Sequence, residues 1–148
     1  MNPITLQSSL YEQDFYLWSE DTATKLRSGK LSEIDLDILA EEIETLGRSE
    51  KQQLENRLEV LLTHVLKRIY LDSAYDNRGW EITIAEQRRK LRRLLKQSPS
   101  LKQYFEQVFD EIYQDALSQV KMEYNKVPFP DTCPFNHELE IILQKTFW

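Results

Sequence analysis

The stretch Ser32–Leu71 reads SEIDLDILAEEIETLGRSEKQQLENRLEVLLTHVLKRIYL, and its reading decides the fold. Apolar side chains fall at Leu36, Leu39, Ala40, Ile43 and Leu46, then at Leu54, Leu58, Leu61, Leu62, Val65 and Ile69. Steps of three and four residues place them along one side of a helix, which predicts a helix-packed domain. Ser32 is the expected cap, with Asp35 three residues on and Leu31 and Leu36 spaced as a hydrophobic staple. Gly47 poses a choice. Either the helix breaks there and restarts through Ser49 and Gln52, or it runs on and the glycine admits a close neighbour. The apolar phase survives across Gly47, which favours a continuous rod or a slight kink.

Working outward, a first helix is expected from Leu10 or Phe15 to Arg27, with Tyr11, Phe15, Trp18, Thr22 and Leu26 on one face. Ser9 with Glu12, or Asp14, can cap it, and Gly29 suits the left-handed position after its end. Asp72–Gly79 reads as a loop. A third helix spans Trp80–Lys96, with Ile84, Gln87 and Leu91 inward and Ser98-Pro99-Ser100 stopping it. A fourth runs from Leu101 to about Tyr124 on Phe105, Val108, Ile112, Ala116 and Val120. Three prolines between Val127 and Pro134 make that segment irregular, and a short helix is expected over Asn136–Lys145. No stretch alternates as a strand does. The expected architecture is all-α: a compact bundle of four main helices, the second kinked or broken, with a short C-terminal helix.

The chain has 148 residues, 41% of them hydrophobic, enough to bury a core as one helical domain over residues 1–148. Its net charge is −6, a field that opposes nucleic acid and anionic membranes. Charge is uneven: residues 61–97 hold nine basic and four acidic side chains, whereas residues 1–60 hold six basic and 13 acidic. The single cysteine, Cys133, allows neither an internal disulfide nor a zinc site of paired cysteines. MNPITLQSSL lacks a basic region followed by an apolar stretch, so no signal peptide is expected, and no apolar run reaches the length of a membrane span. These features predict a soluble, cytoplasmic protein.

The segments YEQDFYLWSEDTATKLRSG, LAEEIETLGRSEKQQLENRLEVLLTHVLKRIY, WEITIAEQRRKLRRLL, SPSL and FPDTCPF occur in that order over nearly the whole chain. Together they resemble the bacterial domain-of-unknown-function family twenty-nine. The resemblance implies an all-helical fold. It carries over no activity and no binding residue.

Several polar residues lie beside the apolar stripes. Glu50, Arg57 and His64 follow at seven-residue steps, and Gln87 interrupts the apolar face of the third helix next to Arg88. With Glu42, the set Glu42, Arg57, His64, Gln87 and Arg88 offers a carboxylate, cations, an imidazole and an amide. Such groups can bind an anionic ligand or move protons. They serve equally as a hydrogen-bonded network that sets helix register. A metal would have to use Glu42, Glu59 and His64, but the Glu-x-x-His spacing of carboxylate-bridged metal sites in helical bundles is missing, so no metal and no cofactor is expected. The tract RRKLRRLLK at Arg88–Lys96 forms rows that can track phosphates, or pair with acids of the second and fourth helices. Cys133, four residues before His137, reads as a packed small hydrophobe or a thiol beside a base. Tyr16 or Leu17 points outward once Phe15 and Trp18 turn inward, and can join a partner surface. Two functions follow. One is a non-enzymatic module that binds a protein partner or self-associates. The other is a small-ligand binder or enzyme built on the five-residue cluster.

Overall fold

The computed structural model describes residues 2–135 and 138–148. Among them are helices α1 (Pro3–Gln13), α2 (Phe15–Arg27), α3 (Leu36–Tyr70), α4 (Asn77–Gln97), α5 (Leu101–Glu123) and α6 (Leu139–Gln144), a 3-10 turn at Leu31–Glu33, and no strand. The chain forms two compact units, Met1–Arg48 and Ser49–Trp148.

Helix ends follow the local chemistry. Asn2 accepts the Thr5 backbone N–H at 2.9 Å and Pro3 opens α1, a helix the sequence reading did not expect. Asp14 sits in extended backbone, ends α1 and caps α2 through the Leu17 N–H at 3.1 Å. The first expected helix therefore begins at Phe15, while Ser9 and Glu12 lie inside α1 and cap nothing. Gly29, at φ +72°, closes α2 as expected, with its N–H on the Leu26 carbonyl and the Lys30 N–H on that of Lys25.

The start of α3 differs from expectation. Ser32 lies in the 3-10 turn, and Asp35 caps the helix by accepting the Ile38 N–H at 3.2 Å. The reason is tertiary. Gln7 accepts the Asp35 N–H at 2.6 Å, and Ser8 donates its hydroxyl to the Asp35 carboxylate at 2.8 Å. The Ser8 bond first, then the Ile38 N–H, holds the Asp35 carboxyl below its ordinary pKa. From there α3 runs unbroken through Gly47 to Tyr70, so of the two alternatives at that glycine the helix runs on. No atom lies within 4 Å of where a Gly47 Cβ would stand, so no neighbour in the chain needs that glycine.

The first unit is held by little apolar burial. Trp18 and Ile34 are its buried hydrophobes, and Gln7 and Thr22 are buried beside them. Gln7 donates to Thr22 Oγ1 at 3.2 Å while accepting from Asp35, so one amide ties α1 to α2 and to the α3 cap. Tyr11 and Phe15 pack on Trp18 with ring centroids 5.0 and 5.4 Å away, but Phe15, expected in the core, stays exposed.

The second unit has a large core. Leu54, Leu58, Leu61, Leu62, Val65 and Leu66 of α3 are fully or almost fully buried against α4 and α5. The α4 face of Ile84 and Leu91 and the α5 face of Phe105, Ile112 and Val120 complete it, as their spacing predicts. Asp72 takes φ +45° and accepts from Arg68 and Asn77, so α3 turns off and α4 begins at Asn77, three residues before the expected Trp80. The start of the expected last helix, Asn136 and His137, lies outside the described residues; the helical part begins at Leu139.

Gly47→Ala should stabilise the free protein by about 0.5–1 kcal/mol, because the helix loses glycine's entropy penalty and the new methyl meets nothing. Urea unfolding followed by circular dichroism checks it. Destabilisation would mean that the position is not an open helix interior.

Candidate functional site

Of the five polar residues singled out by sequence, only Arg57 and Gln87 bond each other among the described residues. Glu42 lies in the first unit and accepts the Tyr11 phenol, a bond that raises the Tyr11 pKa. Arg57 and Gln87 meet in the second unit, with Nη1 donating to Oε1 at 3.4 Å beside a shallow depression of about 180 Å³ bordered by Gln53 and Asn56. Glu50, on the same row, accepts from Gln97 at 2.7 Å and from Ser98 Oγ at 2.5 Å, tying the end of α4 to α3.

His64 is half-buried one turn beyond Val60. Its Nδ1 donates to the Val60 carbonyl at 2.7 Å, which leaves Nε2 unprotonated in the neutral ring. The ring lines a cleft of about 290 Å³ with Glu59, Thr63, Lys67 and Glu123. Lys67 and Glu123 pair there at 2.8 Å. Burial lowers the His64 pKa, against the raising effect of the Val60 carbonyl.

Arg88 is 8% exposed and faces backbone. Its Nε donates to the Ile142 carbonyl at 3.0 Å and an Nη to that of Lys145 at 2.6 Å. One turn along α4, Arg92 donates to the Leu143 carbonyl. Two arginines four residues apart thus satisfy the carbonyls at the C-terminal end of α6, where a helix leaves acceptors unpaired and carries partial negative charge. The basic tract expected to pair with acids on the second and fourth helices does something else. Among the described residues its one ion pair is Lys90 with Glu86 in the same helix, at 2.6 Å. Beside Arg92 a cleft of about 390 Å³ opens over Leu95, Leu139 and Leu143, with Lys96 and Lys102 at its edge.

No group of three or more metal-ligating side chains gathers among the described residues. Cys133 is half-buried, burial pushes its thiol pKa up, and Sγ donates to the Phe135 carbonyl at 3.3 Å. His137, its suggested base, lies outside the described residues. Tyr104 donates to Glu55, and that bond with partial desolvation pushes the phenol up to about 12. No helix among the described residues is long and apolar enough to cross a membrane.

Sequence reasoning missed an apolar surface. Of the 14 exposed large hydrophobes among the described residues, ten lie in the first unit. Leu36, Ile43 and Leu46 on α3 are 56%, 60% and 68% exposed, and Phe15, Tyr16 and Leu17 stand out from α2. The α3 periodicity predicted a packing face; in the first unit no described residue covers it. The outward Tyr16 and Leu17 agree with their expected direction.

Fold and side-chain arrangement define an all-helical chain whose polar side chains hold its own helix ends and helix pairs. The chain belongs to the family described as Domain of unknown function DUF29, whose model matches residues 10–148. No curated protein and no solved structure gives a match.

Two outcomes test these assignments. Arg88→Ala should destabilise by about 2–3 kcal/mol, because buried charge-assisted bonds go and carbonyls are left unpaired. Arg88→Lys should recover only part of this in urea unfolding. For His64, the unfolded ring takes up a proton as pH falls through about 6.5 while the folded ring resists. Its contribution is therefore complete above that pH and declines below it. The wild-type protein should lose stability between about pH 7 and about pH 5.5, with a smaller slope in His64→Gln. Equal slopes would remove His64 from the account.

Proposed function

We propose that this protein is a non-enzymatic interaction module that receives a helix of another protein on the exposed face of α3 between Leu36 and Gly47. One observation carries the reading. Leu36, Ala40, Ile43 and Gly47 are all exposed, whereas Leu54, Leu58, Leu61 and Val65 of the same helix are buried. The second set repeats the spacing of the first after eighteen residues, about five turns of helix, so the two follow one sequence pattern. An apolar stripe that one half of a helix buries and the other exposes marks an interaction surface. A helix laid along such a row is a common form of recognition.

The separate partners of Arg57, His64 and Arg88 support this reading over a single ligand site. A photocrosslinking side chain placed in turn at Leu36, Ala40, Ile43 and Glu106 tests it in the native host. Adducts of one mass at the three stripe positions and none at exposed Glu106 are expected. Adduct formation should disappear with Leu46→Asp. Equal adducts at all four positions, or none on the stripe, would overturn the proposal.

A further inference from the structure

Resting on that reading, we infer that the occupant of the α3 stripe is a basic amphipathic helix, with Leu- or Ile-like side chains on one face and Lys or Arg along its flank. The charge of the chain divides at the boundary between the units. Residues 1–48 carry ten acidic and four basic side chains, a net of −6. Residues 49–148 carry fifteen of each, a net of zero. The whole negative charge of the molecule thus belongs to the unit that exposes the stripe.

That charge lines the stripe. Asp37, Glu41 and Glu44 follow the same i, i+4, i+7 steps as Leu36, Ala40 and Ile43, one position further round the helix. All three are exposed. Among the described residues Asp37 and Glu41 meet no cation within ion-pair distance. Glu44 has only Arg48, at 3.8 Å, with both side chains about two-thirds exposed. On the other flank Leu39 and Glu42 are half-buried, and Glu42 is held by Tyr11, so that side is closed. An apolar row with one free acidic border selects a partner that offers the same row and an opposite border.

A second copy of the chain fits worse. Antiparallel pairing across a two-fold axis sets each acidic border against its own copy, and like charges oppose such register. Nucleic acid and anionic lipid meet the same repulsion. Ala40 and Gly47 leave the row low, and nothing lies within 4 Å of a Cβ at Gly47, so a partner backbone can come close.

The test uses the full chain and three fluorescent peptides: an amphipathic Leu/Lys helix, a Leu/Glu helix of the same pattern, and a Leu/Lys peptide with its apolar period scrambled. Anisotropy should show the Leu/Lys helix binding at least about tenfold tighter than the other two, with the difference shrinking in high salt. Ile43→Asp should abolish binding. The triple change Asp37→Lys, Glu41→Lys, Glu44→Lys should transfer preference to the Leu/Glu helix, with circular dichroism unchanged in both variants. Equal binding of the scrambled peptide would overturn the inference by reducing it to bulk charge. Tighter binding of the Leu/Glu helix, or sedimentation showing a dimer that Ile43→Asp dissociates, would overturn it while leaving the stripe a docking surface. A monomer that binds no peptide and gives no stripe adducts in the crosslinking experiment would overturn both.

Discussion

The structure depends on one helix keeping its phase. Helix α3 runs from Leu36 to Tyr70 without interruption, and its apolar residues recur at helical spacing along that length. In the second unit this constraint builds a core. Leu54, Leu58 and Leu61 are wholly buried, so α4 and α5 must each turn an apolar face to the same line. In the first unit α3 meets α1 at the edge of that pattern through the bond from Tyr11 to Glu42, and Leu36, Ala40 and Ile43 are exposed. Buried core and exposed apolar row are two halves of a single sequence pattern.

Polar side chains set the helix ends that the apolar pattern leaves free. Gln7 bonds Thr22 and the Asp35 backbone at once, fixing where α3 can begin. Arg88 and Arg92 close the far end of α6 by donating to Ile142, Leu143 and Lys145 carbonyls. Glu50 receives both Gln97 and Ser98 where α4 stops. Gln7 and the two arginines thus satisfy backbone groups at a helix terminus, the place where backbone partners run out, while Glu50 ties two side chains there. Residues that look like a reactive set along the chain are thus divided among structural tasks.

Much of the fold was legible in the chain. The periodicity of Leu54–Val65, Ile84–Leu95 and Phe105–Val120 marks buried faces, and Asp14, Gly29 and Ser98-Pro99 mark ends that the structure keeps. Misses occurred where contacts override local signals. Ser32 looks like a cap but loses to Asp35 because Gln7 and Ser8 reach across from α1. Helix α1 went unseen because only Asn2 and Pro3 announce it and its apolar pattern is weak. The candidate cluster was legible as residue types. The pairing of Arg57 with Gln87, and of Arg88 with carbonyls more than fifty residues away, depends on how α4 lies on α3 and α6.

The sequence alone therefore determined that this is an all-helical chain whose net negative charge falls in its first third, since periodicity and charge are properties of the chain itself. Tertiary structure decided which stretch of the α3 stripe is covered and what each polar side chain bonds. The reason is physical: burial and hydrogen-bond partners are relations between segments, and a helix pattern is the same whether its apolar face meets another helix or water.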